Sequence, residues 1–138
     1  MLSNFIVPDS SDARLGIKSR YRMLVDGKSV DAASGKTIDR VSPGHAGVVV
    51  GTWPEASADD VRKAIAAARR AFDSGPWPRM SGAERSRLMF KVADLILAHQ
   101  EDLALAESLE VGKPIAQARG EIGFCADLWS YAAGQARA

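Results

Sequence analysis

The feature that most narrows the fold of this chain is a change of period at Ser57. Before it, apolar residues come in short runs broken by Asp-Gly and Ser-Pro-Gly; after it, they recur at helical spacing. Val61, Ile65, Ala68 and Phe72 fall at i, i+4, i+7 and i+11, one stripe of a helix, with Arg62, Lys63, Arg69 and Arg70 off it. Ser57 is a suitable N-cap with Asp60 at the third helical position, and Gly75-Pro76 is a stop. A second helix opens at Ser81-Gly82-Ala83-Glu84, a Ser-x-x-Glu capping box. Leu88, Val92, Leu95 and Ile96 mark its buried face. The pattern softens over His99-Gln100-Glu101-Asp102 and resumes at Leu103, Ala106 and Leu109, which fits one bent helix or two abutting ones. Gly112-Lys113-Pro114 ends it, with Gly supplying a left-handed cap and Pro blocking continuation. The third helix carries Ile115, Ala118, Ile122, Cys125 or Ala126, Trp129 and Ala133. Gly120 and Gly123 weaken it, which predicts a close neighbour against them. The sequence stops inside this helix with no capping residue, and is expected to be part of a larger layered architecture.

Upstream, two hairpins are expected. Arg22–Val25 and Lys28–Val30 flank Asp26-Gly27, the composition of a tight primed turn in which both central residues take positive φ. Thr37–Val41 alternates, Ser42–Gly47 turns, and Val48-Val49-Val50 returns as a short β-branched run. Residues 1–20 show no period and read as a flexible N-terminal arm, leaving 21–138 as the structured part.

The chemistry that these residues exclude is as informative as their pattern. Lys+Arg number 18 against Asp+Glu 17, a net charge of +1, so no basic surface favours nucleic acid. No apolar run approaches the roughly 20 residues needed to cross a bilayer, and Pro8 interrupts the start before it resembles a secretory leader. A single cysteine excludes an internal disulfide and points to a reducing, cytoplasmic setting. Cys125 itself, on the apolar side of a helix beside Phe124, reads as a small buried hydrophobe rather than a nucleophile. Gly112-Lys113 is not the end of a phosphate loop, because Glu107 stands where that loop begins with Gly and Pro114 where it needs Ser or Thr. His45 and His99 have no partners at metal-ligand spacing. Asp59-Asp60 and Glu101-Asp102 suit the positive ends of helices.

The order of these modest motifs carries more than any one alone. Met23–Val30, Ala33-Ser34-Gly35-Lys36-Thr37, Ser42-Pro43, Ala56–Val61, Ala64–Phe72 and Gly75-Pro76-Trp77 are followed by Glu84–Leu88, Ala93–Ile96, Glu107–Pro114 and Tyr131–Gly134. Together, over about residues 21–138, they resemble the opening of the aldehyde dehydrogenase superfamily. The resemblance implies an α/β fragment: N-terminal β-hairpins plus three amphipathic helices from the first part of a Rossmann-type cofactor domain. It implies an oxidoreductase that converts an aldehyde to a carboxylic acid with NAD or NADP, homo-oligomeric when complete. A thiolate would attack the aldehyde, hydride would pass to the nicotinamide, and water would release the acid. The family's catalytic cysteine, glutamate base and cofactor loops match no residue here. This stretch alone is therefore expected to bind no dinucleotide, and its catalytic and cofactor-binding residues are none. The family also holds a structural monovalent cation, K+ or Na+, whose ligand positions match the main-chain oxygens of Arg40 and Val41 and the side chain of Glu110. Ser42 stands where the family usually has Asn, and Glu110 replaces a shorter Asp. The alternative reading is a non-catalytic helical interaction module that docks on a partner protein or on a full-length dehydrogenase.

Overall fold

The structure, a computed structural model, describes residues 20–137. The expected arm over residues 1–20 lies outside this span except for Arg20, which bridges Thr52 in parallel.

Two antiparallel hairpins come first. In β1 (Met23–Val25) and β2 (Lys28–Val30) the register runs Met23↔Val30 to Val25↔Lys28. Asp26 at φ 54 and Gly27 at φ 71 form the primed turn expected from their side chains. The second hairpin pairs β3 (Thr37–Val41) with β4 (Val49–Pro54), from Thr37↔Pro54 to Arg40↔Gly51, and its register shifts between Arg40 and Val41. β4 runs further than its valines suggest, because its ladder with β3 continues to Thr37↔Pro54, and Tyr21 gives it a second neighbour. Tyr21 N–H donates to the Thr52 carbonyl at 2.9 Å, and its ring stacks on Trp53 with centroids 4.4 Å apart. Gly51 is required beneath that stack, since a Cβ there would lie 2.7 Å from the Trp53 ring.

Helix α1 (Ala58–Ser74) begins at the expected cap, and the capping box is complete. The Asp60 carboxylate is buried and does more than cap. Its Oδ2 accepts from Ser57 N at 2.9 Å, from Ser57 Oγ at 2.8 Å and from Ala33 N at 3.2 Å. The last bond ties the segment after β2 to the start of α1. A 3₁₀ turn (Trp77–Arg79) leads into α2 (Gly82–Ala98), whose Ser81–Glu84 box is also complete. At His99 the chain breaks rather than bends. His99, at φ −112 and ψ 21, both ends α2 and precedes α3 (Gln100–Val111), so of the two readings left open the pair of abutting helices holds. Gly112, at φ 78, closes α3 and donates its N–H to the Ser108 carbonyl. Helix α4 (Ile115–Gln135) follows.

α4 is the central element, packed along α2 and folded back on α3. The seam is made of small side chains. Ser86 and Ala93 on α2, Ala104 on α3, and Ala118, Ala126 and Ala133 on α4 are each at most 2% exposed. Small residues let helix axes approach closely, and α2 and α4 run antiparallel, with Gly82 against the Ala136 carbonyl. Ala126, not Cys125, faces this seam, and Cys125 is half-buried. Leu109 of α3 is also buried, but several larger apolar residues are left exposed. Val61, Ile65 and Phe72 of the α1 stripe are 48%, 63% and 68% exposed, and Leu88 and Leu95 are exposed on α2. The predicted neighbour against Gly120 is absent among the described residues, and Gly123 meets only the side chain of Gln100.

Candidate functional site

The second hairpin and the end of α3 meet at one corner, and two of the three residues expected to hold a cation touch there. Arg40 is the last paired residue of β3 before the register shift, and Val41 follows it. Glu110 lies in the last turn of α3. The Arg40 side chain spans the gap. Its Nη2 donates to the Glu110 carbonyl at 3.1 Å, and its Nε lies 3.7 Å from Glu110 Oε1. Both side chains are about half exposed.

The turn beside this corner is pinned on both sides. Ser42 is buried, donates its N–H to the Val48 carbonyl at 2.8 Å, and has His45 Nδ1 3.3 Å from its Oγ. Pro43 packs on Gly112, where a Cβ would lie 3.1 Å from Pro43 Cγ. Gly112→Ala therefore places a side chain at positive φ and against a proline ring at once. We expect it to destabilise the protein by about 1–2 kcal/mol, read from the denaturation midpoint.

A second charged cluster lies at the α3–α4 connection. Lys113 Nζ is 2.5 Å from Glu107 Oε1 and also bonds Glu121, while Ser108 Oγ donates to the Lys113 carbonyl at 2.7 Å. At the other end of α3, Arg119 pairs with Glu101, and Gln100 Nε2 donates to the Arg119 carbonyl at 2.9 Å. These links fasten both ends of the α3–α4 hairpin. The Glu107 hydrogen bond raises the Lys113 ammonium above its ordinary value, and Lys113 in turn lowers Glu121. Arg119 lowers Glu101, and the two cap serines lower Asp60 and Glu84.

The consequence for stability has a definite sign. Each of these carboxylates has a folded pKa below its unfolded one, so its contribution is complete above the ordinary value near 4 and is lost as pH falls through the folded value. Lys113 behaves oppositely: its contribution is present below its ordinary value and is lost as pH rises through the raised one. The thermal midpoint should thus hold steady across neutral pH and fall on acidification below about 4. A midpoint that rose on acidification through that range would contradict these pairings.

The remaining candidates do not gather into a centre. His99 lies at the α2–α3 break, 3.8 Å from Asp102, far in sequence from His45. Among the described residues no three His, Cys, Asp or Glu side chains are grouped as metal ligands. An open cavity of ≈ 320 Å³ lies between the first hairpin and α1, lined by Met23, Val25 and Val30 with Asp60 and Lys63. Its carboxylate is already engaged by Ser57 and Ala33. Both sheets are antiparallel, and β4 passes to α1 through Glu55-Ala56-Ser57. No helix among the described residues is long and apolar enough to cross a membrane.

Hairpins followed by a capped helix and a three-helix unit define one segment of a larger α/β architecture, and known proteins contain it. Residues 29–138 match the aldehyde dehydrogenase family, and this chain belongs to that family. Family 2 member B4, a mitochondrial aldehyde dehydrogenase of Arabidopsis thaliana, is 44% identical over 86% of this chain and 22% of its own length. An NAD-dependent aldehyde dehydrogenase of Sinorhizobium meliloti, solved by crystallography, is 90% identical with a TM-score of 0.85, covering 99% of this chain and 27% of that one. Betaine aldehyde dehydrogenase of Staphylococcus aureus, solved in complex with NAD+, is 33% identical with a TM-score of 0.81, covering 85% and 23%. The chain thus spans about a quarter of the length of these relatives and matches the N-terminal part of their structures.

Proposed function

We propose that this chain is the N-terminal scaffold of an NAD(P)-dependent aldehyde dehydrogenase that oxidises an aldehyde to a carboxylic acid. The supporting observation is the 90% identity to the Sinorhizobium meliloti enzyme over nearly all of this chain. In this reading the chain contributes no group to the reacting atoms. Its capped helices and Ala-lined seam form a rigid block, and the exposed stripe of Val61, Ile65 and Phe72, with Phe124 and Tyr131 on α4, is covered by the rest of the enzyme. The complete protein is taken to be a homo-oligomer of the cytoplasm. The corner of Arg40, Val41 and Glu110 is proposed as the place where positive charge is held against the end of α3.

The exposed apolar faces also favour a second reading, an interaction module that docks on a partner or a full-length dehydrogenase. One experiment separates the two. The corresponding segment of the Sinorhizobium meliloti enzyme is replaced by this chain, and aldehyde-dependent formation of the reduced nicotinamide is followed for the chimera and for the chain alone. We expect activity from the chimera and none from the chain alone. A chimera that assembles like its parent but is inert would favour the module, and oxidation by the chain alone would overturn the scaffold reading.

A further inference from the structure

We infer that in this chain the guanidinium of Arg40 takes the part of the structural cation at the corner between β3 and α3, so that no alkali ion is held there. The need for positive charge is set by α3 itself. Its last turn has no basic residue and carries Glu110, an acid at the helix end where unpaired carbonyls already concentrate negative charge. A helix ending this way calls for a cation from elsewhere.

Arg40 supplies it from 70 residues away in sequence. One nitrogen satisfies an end carbonyl of the helix, that of Glu110, at 3.1 Å, while Nε faces the carboxylate of the same residue at 3.7 Å. A guanidinium suits this double task, since its donors form a fixed fork and it is more weakly hydrated than an ammonium. The register shift at Arg40/Val41 and the contact of Pro43 on Gly112 hold the strand end beside the helix end. The carboxylate that would ligate an alkali ion is the one facing Arg40 Nε. A second cation on it would stand against like charge at contact range.

The test needs no aldehyde or cofactor, so its outcome is separate from that of the enzymatic proposal. Thermal unfolding of the full chain is measured at equal ionic strength in sodium, potassium and tetramethylammonium chloride, for the native sequence, Arg40→Thr and Glu110→Gln. The expected result is one midpoint for the native protein in all three salts and a lower midpoint for Arg40→Thr. Saturable stabilisation of the native protein by sodium or potassium, lost in Glu110→Gln, would overturn the inference; so would an Arg40→Thr protein as stable as the native one. Should Arg40→Thr fail to fold, sodium NMR linewidths decide on the native protein: equal broadening with native protein and Glu110→Gln supports the inference, and excess broadening with native protein overturns it.

Discussion

Replacing Ala133 with leucine should destabilise the protein by about 3 kcal/mol, at the upper end of what overpacking a closed interior costs. Ala133 is 0% exposed, and Ala126, two turns earlier on the same face of α4, is 1% exposed. On the opposing helix, Ser86 and Ala93 are 1% and 2% exposed. The fully buried residues along this seam have little or no side-chain freedom with which to make room. Three extra carbons can be admitted only by moving α2 and α4 apart, and one turn beyond Ala133 the Ala136 carbonyl is already against Gly82. The shift would therefore extend to the capped start of α2. Denaturant unfolding of Ala133→Leu beside Ala133→Ser checks this. A leucine variant with native stability would mean that the helices are not in the close contact described.

The second large effect is expected at Asp60. Ser57→Ala removes an N-cap side chain and should cost about 1 kcal/mol. Asp60→Ala should lower the thermal midpoint by clearly more, because it leaves the amides of Ser57 and Ala33 and the Ser57 hydroxyl without their acceptor. Asp60→Asn keeps an oxygen and should fall between the two. The Ala33 bond gives this prediction a spatial signature. Losing it releases the segment after β2 from α1, so amide exchange should rise at Ala33 and along the first hairpin as well as at the helix start. Exchange that rises only within α1 would show that the carboxylate acts as a cap alone.

The parts of the fold that could be read in advance share one property: they are settled within a few residues. The box at Ser57 and Asp60, the box at Ser81 and Glu84, the turn at Asp26-Gly27 and the stop at Gly112 each join a side chain or a permitted φ to backbone close by. Nothing distant has to be known for such bonds to form. The break at His99 was legible only as a softening, because both continuations satisfy the same local pattern. The course of β4 past Val50 is not legible in the sequence, because Gly51 and Pro54 are poor strand residues. Their place follows from pairing with Arg40 and Thr37 of β3, with Tyr21 stacked on Trp53 from more than thirty residues away.

The candidate site divides in the same way. The resemblance of motifs names Arg40, Val41 and Glu110 as cation ligands, and what the structure shows is the side chain of Arg40 on Glu110. That the meeting is between side-chain guanidinium and carboxylate, with the helix-end carbonyl as a third party, is a matter of three-dimensional proximity.

Capping and turn chemistry, then, determined from the sequence alone where the first hairpin turns, where α1 and α2 begin and where α3 ends, while the order of the motifs carried the family resemblance. Only the tertiary structure decided which face of each helix is covered. Amphipathicity states that an apolar stripe should be buried but not against what, and burial depends on the neighbour actually present. Here the alanine seam found its partner within the chain, leaving Ile65 and Phe72 exposed, and Arg40 came to rest on a helix end seventy residues away.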